Sequence, residues 1–276
     1  MGLEDKVKVE VVRVKSIITK SSLPDADFVI NPYVGCQHGC IYCYADFMRR
    51  FTGHSPEEWG SFVDVKQFDF DRINPHKFDG MRILLSSVTD PYQPLEAKYK
   101  ITRRVLERFI GSSARIDVLT KSALVKRDID IFKQIPNIRV GVSVSVLNHK
   151  ISRRIEPFSS SPSARLESLR RIHEEGVRTY LFVSPLMPGI SEYQELVFAS
   201  KDYVEEVMFE NLNIRANNIN AVYSFLEEFQ PDLITFYNEL RSNPQSWNPI
   251  REEVLDYCRK HGLKCKLYFH HGGFKK

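Results

Sequence analysis

The sequence predicts an α/β fold in which a parallel sheet is covered by crossover helices. Six short apolar runs alternate with segments of helical periodicity over most of the 276 residues. The runs are rich in Val, Ile and Leu along their whole length, as expected of strands that are buried on both faces. No Gly-, Ser- or Pro-rich linker divides the sequence. We therefore expect a single domain over residues 1–276, built on an open or closed barrel.

Strands and helices are predicted to follow one another along the chain. The predicted strands are 28–34, 82–87, 115–120, 139–146, 178–184 and 204–209. The predicted helices are 41–51, 101–110, 125–134, 163–175, 192–201 and 217–229. Parallel neighbours cannot be joined by tight turns, so six such units in succession imply a parallel sheet with crossover helices.

An N-terminal extension precedes the predicted core, which covers about residues 25–230. Within the extension 1–24, residues 6–19 alternate Val and Ile with charged side chains, which predicts an edge strand or a hairpin. Residues 62–78 have no clear period, and we expect a long loop with a short helix there.

A C-terminal extension, 231–276, follows the core. Residues 249–261 predict a helix, Gly262 its C-cap, and residues 265–270 a last strand. Residues 257–276 carry six Lys or Arg residues and no acid, whereas the whole chain has a net charge of +4. The basic charge therefore belongs to this tail and not to the whole surface.

Neither the first residues nor the apolar stretches of the sequence predict contact with a membrane. The first residues lack the apolar core of a signal peptide, and no apolar stretch approaches the ~20 residues needed to cross a bilayer. We expect a cytoplasmic protein. In that reducing compartment, clustered thiols indicate metal or cluster binding and not disulfides.

Three of the five cysteines form the pattern Cys36-x-x-x-Cys40-x-x-Cys43. The pattern lies on the loop after the first predicted strand and continues into the first predicted helix, whose dipole favours thiolates. Three thiolates hold three irons of a 4Fe–4S cluster and leave the fourth iron open to another ligand. Two alternatives are a structural zinc site with His38 as fourth ligand, and buried cysteines without a ligand.

Residues 31–45, NPYVGCQHGCIYCYA, closely resemble the radical S-adenosylmethionine (SAM) superfamily. Within it they resemble the branch of spore photoproduct lyase, whose members are often labelled DNA repair photolyases. Supporting segments are VTDPYQPLE from Val88, LTKS from Leu119 with Arg127-Asp128, RIEP from Arg154 with Arg165-Leu166, and NLN from Asn211. The resemblance covers roughly residues 25–215. It implies a partial (β/α)6 radical SAM barrel with the cluster at the C-terminal ends of the strands.

The resemblance also implies two cofactors, a 4Fe–4S cluster on Cys36, Cys40 and Cys43, and SAM. An electron from a flavodoxin- or ferredoxin-type donor would reduce the cluster, which cleaves SAM to a 5′-deoxyadenosyl radical that takes hydrogen from a substrate.

The implied SAM contacts lie at strand ends. They are Tyr42 beside the adenine, Thr89 as a hydroxyl contact, Lys121 and Ser143 at the methionine carboxylate, and Met187 on the adenine strand. The segment PLMPGISE from Pro185 departs from the family's adenine motif at Pro185 and Met187. The alternative is that Thr89 and Ser143 are turn formers and that Lys121 is a solvated lysine. Glu156 and Arg165 are either a polar pair beside SAM or an ion pair that holds a loop.

The sequence leaves two alternatives for the substrate. It is either a nucleic acid, which the basic and aromatic tail could bind, or a peptide or small molecule. A non-enzymatic, zinc-bound nucleic-acid module is a third alternative. Spore photoproduct lyase carries a hydrogen-donating cysteine where Ser87 aligns, and a serine O–H bond is too strong for that role. Candidate catalytic residues are therefore Tyr44, Cys265 and Tyr268.

Overall fold

An eight-stranded sheet dominates the computed structural model, which describes residues 7–214 and 219–269. The strands are β1 (Lys8–Arg13), β2 (Ile18–Lys20), β3 (Phe28–Ile30), β4 (Tyr33–Val34), β5 (Phe62–Gln67), β6 (Arg82–Leu85), β7 (Arg115–Thr120), β8 (Ile138–Ser143), β9 (Arg178–Leu186), β10 (Glu206–Asn211) and β11 (Cys265–Tyr268). The main sheet has the order β2-β3-β6-β7-β8-β9-β10-β11, and only the β2–β3 pair is antiparallel. The predicted parallel α/β sheet is confirmed, since all six predicted strands lie in it in chain order.

Helices connect the parallel strands. They are α1 (Glu96–Tyr99), α2 (Ile101–Glu107), α3 (Ile129–Phe132), α4 (His149–Ile155), α5 (Pro162–Glu174), α6 (Tyr193–Ser200), α7 (Ile219–Phe229), α8 (Ile234–Ser242) and α9 (Trp247–Lys260). The segment predicted as the first helix forms a 3-10 helix, Tyr44–Phe51. Residues 217 and 218, predicted to begin a helix, lie outside the described residues. No described helix has both the length and the apolar character needed to span a bilayer.

One side of the sheet forms the apolar core, and the other faces the interior of the partial barrel. Strand residues such as Val118, Val140 and Leu181 are buried, as are the apolar positions of the helices. Successive strand residues point to opposite faces, so Leu119 and Phe182, which are only half-buried, face the interior.

A polar network occupies the N-terminal end of this interior. Arg139 on β8 pairs with Asp117 on β7 and with Glu206 on β10. The hydroxyl of Tyr180 donates to the carbonyl of Val118, 3.0 Å away, across strand β8. The ring crosses β8 at Gly141, where a Cβ atom would lie 2.2 Å from it. The opposite end of the interior, at the C-terminal ends of the strands, is called the barrel mouth below.

The two ends of the main sheet approach each other through Asp25, which lies just before β3. Its carboxylate accepts a hydrogen bond from the Tyr268 hydroxyl, 2.8 Å away, and lies 2.7 Å from the Lys266 ammonium. Both partners belong to β11, at the far edge of the sheet. This contact bridges the two ends of the sheet, which is curled into a partial barrel.

The N-terminal extension forms two edge strands, as one of the two predicted alternatives required, and not a hairpin. Strand β1 pairs in parallel with β5 in a separate sheet of order β1-β5-β4, while β2 pairs with β3 in the main sheet. Residues 62–78, expected to be a long loop with a short helix, begin instead with strand β5 and continue into two short 3-10 helices, Phe70–Arg72 and Pro75–Phe78. The sequence did not predict strand β5 because a buried acid, Asp64, interrupts its apolar pattern. Both carboxylate oxygens of Asp64 lie 3.1 Å from His54 Nε2.

Candidate functional site

The three clustered cysteines lie on the loop between β4 and the 3-10 helix Tyr44–Phe51, and none of the three forms a disulfide. Cys36 and Cys40 are buried, and Cys43 is half-buried. The loop turns at Gly35, whose φ of +79° favours glycine. A Cβ atom there would lie 2.4 Å from the carbonyl oxygen of Phe62, so only glycine fits.

Side chains from the segment after β6 hold the cysteine loop in place. The Gln93 side chain accepts from the backbone N–H of Gln37 at 2.9 Å, and the Gln37 side chain accepts from Leu95 N–H at 2.8 Å. The Thr89 hydroxyl donates to the carbonyl of Gly35 and accepts from Gln93 Nε2. Thr89 therefore supports the cysteine loop, and its contact with SAM stays a prediction.

The donor set at the loop fits an iron–sulfur cluster. Burial, and then nearby negative charge that includes the other thiolates, raises the pKa of Cys36 and Cys40. Such thiols ionise readily only when a cationic group binds them. The buried nitrogens His38 Nδ1 and Trp59 Nε1 also lack a complete hydrogen bond to the described residues.

A zinc ion with His38 as ligand finds no support in the arrangement. His38 Nδ1 lies 3.4 Å from the Asp90 carboxylate. Over residues 7–214 and 219–269, no three His, Cys, Asp or Glu side chains surround a point where one ion would bind. A 4Fe–4S cluster makes no such demand, because each thiolate binds a different iron.

Three of the predicted SAM contacts converge at the barrel mouth. The Lys121 ammonium at the end of β7 lies 2.7 Å from the Ser143 hydroxyl on β8 and 3.3 Å from the carbonyl of Ser184 on β9. It also lies 5.7 Å from the centre of the Tyr42 ring. Its positive charge lowers the pKa of both Cys40 and Cys43, although burial has the larger, opposite effect. Lys121 is thus directed toward the cysteine loop, and its contact with SAM stays a prediction.

A buried ion pair connects the cysteine loop to strand β8. Arg165 and Glu156 are 0% and 1% exposed and bond directly to each other. Glu156 also accepts from the Tyr42 hydroxyl, and Arg165 donates to the carbonyl of Ser143 at 2.6 Å. Burial opposes ionisation of Glu156, but the charges of Arg165 and Lys121, together with the hydrogen bonds from Arg165 and Tyr42, outweigh it and lower the pKa of this carboxyl. The pair fixes the positions of Tyr42 and Ser143 relative to each other. This agrees with the interpretation of Glu156 and Arg165 as an ion pair that holds a loop.

Met187 lies at the turn that follows β9 and is fully buried. Its backbone N–H donates to the Ser191 hydroxyl at 2.9 Å, and its side chain packs in the same apolar cluster as Tyr42. Its contact with adenine stays a prediction.

The candidate catalytic residues lie in different surroundings. The Tyr44 hydroxyl donates to the carbonyl of Ser87, just after β6. Tyr268 is held by Asp25. Cys265 forms a disulfide with Cys258, and their Cα atoms are 6.3 Å apart. The hypothesis that Cys265 donates hydrogen is therefore wrong for this structure, because the disulfide leaves it no S–H bond. The expectation that Cys258 and Cys265 are thiols, which followed from a reducing compartment, is also wrong for this structure.

Three further polar groups at the site escaped the sequence analysis. Asp90 accepts hydrogen bonds from the Thr120 hydroxyl and the Lys121 backbone at 2.6 and 2.7 Å, and so fixes the end of β7. Ser184 on β9 donates to Glu210 on β10 at 2.5 Å. Ser184 and Glu210 lie near strand ends, as Lys121 does, and a search of all polar residues at strand ends could have found them.

The basic tail is only partly described, and residues 270–276 lie outside the described part. Within 257–269 each Lys or Arg lies within 4.0 Å of a carboxylate: Arg259 and Lys260 with Asp256, Lys264 with Glu206, and Lys266 with Asp25. These charges are partly neutralised inside the protein, which lowers the attraction that this part of the tail offers to phosphates.

Comparison with known proteins agrees with the geometry of the site. An uncharacterized protein of Methanocaldococcus jannaschii is 33% identical over 264 residues, which cover 96% of this chain and 98% of that protein. The radical SAM Nalpha-GlyT isomerase of Pseudomonas phage M6 is 24% identical over 203 residues, or 71% of this chain and 39% of that protein. The structure of spore photoproduct lyase complexed with dinucleoside spore photoproduct is similar in fold, with a TM-score of 0.69 at 16% identity, over 96% of this chain and 83% of the lyase.

The family match covers the region that forms the barrel mouth. The sequence profile of the Radical SAM superfamily matches residues 30–198, which include the cysteine loop and the strand ends that carry Lys121 and Ser143. The chain therefore belongs to the radical SAM superfamily.

Proposed function

We propose that the protein holds a 4Fe–4S cluster on Cys36, Cys40 and Cys43 and binds SAM between the cluster and Lys121. The supporting observation is that Lys121, Ser143 and Tyr42, distant in sequence, meet at the barrel mouth beside the cysteine loop. When bound, a cluster of this kind supplies the electron that cleaves SAM to methionine and a 5′-deoxyadenosyl radical.

Lys121 has the hydrogen-bonding capacity to bind the carboxylate of SAM. An ammonium group has three N–H donors. Two of the three N–H donors of Lys121 bond to described residues, namely to Ser143 Oγ and to the Ser184 carbonyl. The third donor remains for a ligand. The Ser143 hydroxyl itself donates to the Ser184 carbonyl at 2.9 Å, so Ser143 orients Lys121 and does not compete for the ligand.

The protein's other contribution is to position the reactants and keep water out. Cys36, Cys40 and Tyr42 are each less than a tenth exposed, so the site starts with little water near the thiols. The Glu156–Arg165 pair fixes Tyr42 and β8 in one geometry, which supplies the orientation that radical chemistry needs.

For the substrate we propose a nucleic acid component. Support comes from relatives: the similar fold of spore photoproduct lyase is seen with a dinucleoside, and a sequence relative is named an isomerase of Nalpha-GlyT. A peptide or small molecule is the alternative. Incubation with SAM, reductant and either oligonucleotides or peptides distinguishes them, because the true substrate raises 5′-deoxyadenosine release above the substrate-free rate.

The experiment for the cofactors is anaerobic reconstitution followed by assay with SAM and dithionite. We expect about four irons and four sulfides per chain, and release of 5′-deoxyadenosine and methionine. The Cys36→Ala, Cys40→Ala and Cys43→Ala variants should each lose the cluster. The matched controls, Cys258→Ala and Cys265→Ala, should keep it. One bound zinc and no iron, or loss of the cluster in a control, would contradict the proposal.

A further inference from the structure

Trp59 belongs to a loop that packs directly on the cysteine loop. This loop runs from the 3-10 helix Tyr44–Phe51 to β5 and ends at Gly60. A Cβ atom on Gly60 would lie 2.9 Å from the Cα atom of Gly39, so the two backbones touch between Cys36 and Cys40. The indole ring is held edge-on against Phe62, with 6.0 Å between ring centres.

The indole N–H of Trp59 is buried and has no complete hydrogen bond with any residue in the described parts of the chain. The acceptor that it faces is the sulfur of Cys43.

A buried N–H without a full partner costs free energy, so its retention beside a cysteine needs a reason. A neutral thiol is a weak acceptor. A thiolate bound to iron carries negative charge and is a stronger one. Binding of a cluster would therefore complete the bond that Trp59 lacks.

We infer that Trp59 is a positioning residue for the cluster: its indole N–H donates to the Cys43 sulfur, orients that ligand and raises the reduction potential. The inference rests on the proposed cluster at Cys36, Cys40 and Cys43. Reduction adds negative charge to the cluster, and a hydrogen bond to a ligand sulfur stabilises the reduced form more than the oxidised form. Trp59 would thus ease the electron transfer that precedes cleavage of SAM.

The test is a redox titration of the reconstituted protein, followed by EPR of the reduced cluster. The Trp59→Phe variant keeps an aromatic ring and removes only the donor. It should show a more negative midpoint potential at unchanged iron content. Trp247→Phe is the matched control: Trp247 is also buried with an incompletely bonded Nε1, but it lies on α9 and packs against Phe269. It should leave the potential unchanged.

A second measurement keeps the inference testable if Trp59→Phe assembles no cluster. In the Trp247→Phe variant, Trp59 is the chain's remaining tryptophan and can be labelled with 15N at the indole nitrogen. Pulsed EPR of the reduced cluster should then detect coupling to that nitrogen. An unchanged potential in Trp59→Phe, or no coupling in the labelled protein, would overturn the inference. Wild-type protein without any cluster would instead count against the proposed function.

Discussion

The ammonium group of Lys121 lies 2.7 Å from the hydroxyl oxygen of Ser143, at the ends of adjacent strands β7 and β8. Neither residue alone would define a site, since a lysine at a strand end is usually solvated. Ser143 and the Ser184 carbonyl hold the charge in the barrel mouth, where it can pair with a carboxylate.

Replacement of Lys121 by Ala should weaken SAM binding to the reconstituted protein. Removal of a charged donor from a partly enclosed site costs about 1.5–3 kcal/mol, or roughly tenfold to hundredfold in affinity. Equilibrium dialysis with SAM measures the change. Lys133→Ala, which removes an exposed ion pair with Glu175, is the control and should have no effect. Equal SAM affinities of the wild-type protein and the Lys121→Ala variant would indicate that Lys121 is a solvated lysine without a role in SAM binding.

Replacement of Glu156 by Ala should destabilise the protein strongly. It leaves the fully buried Arg165 without its counter-charge, and such losses cost about 3–5 kcal/mol. Urea unfolding followed by circular dichroism measures the difference. The exposed Arg154–Glu228 pair provides the control, because Glu228→Ala should cost less than about 1 kcal/mol. A similar small cost in both variants would show that the buried pair adds no stability.

The same pair predicts how stability changes with pH. The pKa of Glu156 is lower in the folded protein than the ordinary value of 4.5. Its ionised form therefore stabilises the fold above that value, and the contribution should disappear as the pH falls through the lower folded-state pKa. Urea unfolding from pH 7 down to pH 3 should show a loss of stability that is smaller in Glu156→Gln. Identical pH profiles of stability for the wild-type protein and Glu156→Gln would contradict this prediction.

The disulfide between Cys258 and Cys265 should stabilise the C-terminal extension without a role in catalysis. It joins the last turn of α9 to the start of β11. Replacing both cysteines by Ser should lower the free energy of unfolding by roughly 2–3 kcal/mol, from the entropy of the released loop. Release of 5′-deoxyadenosine from SAM should be unchanged. A large loss of that activity at equal cluster content would restore a catalytic role to these residues.

The protein should lack efficient spore photoproduct lyase activity. Ser87, which the sequence alignment pairs with the lyase's hydrogen-donating cysteine, has an O–H bond too strong to donate hydrogen to a carbon radical. Its carbonyl accepts the Tyr44 hydroxyl, so the position faces a candidate catalytic residue. The assay is thymine release from DNA that contains spore photoproduct, with reduced enzyme and SAM.

The Ser87→Cys variant should gain activity in this assay, because it supplies a weak S–H bond at the right place. Ser86→Cys is the control: it adds a thiol one residue away, on a backbone that turns to a φ of +68°. Efficient thymine release by the unmodified protein would contradict the prediction and direct attention to Tyr44 or Tyr268 as the donor.

Local patterns in the sequence were sufficient to predict the repeated strands and helices and the loop that carries three cysteines. Burial on both faces requires continuous apolar runs, and the cysteines lie close together in the sequence, so both features are visible within a few residues. The resemblance to the radical SAM superfamily rests on the same short segments.

Contacts between distant segments were decided only by the tertiary structure. Asp25 meets Tyr268 across 243 positions of the chain, β1 pairs with β5, and the Trp59 indole faces Cys43 from a loop without periodicity. Sequence periodicity reports which side of an element is buried, but not which partner buries it. The choice of partner depends on how the sheet curls and how its loops pack, and that is fixed by the whole chain at once.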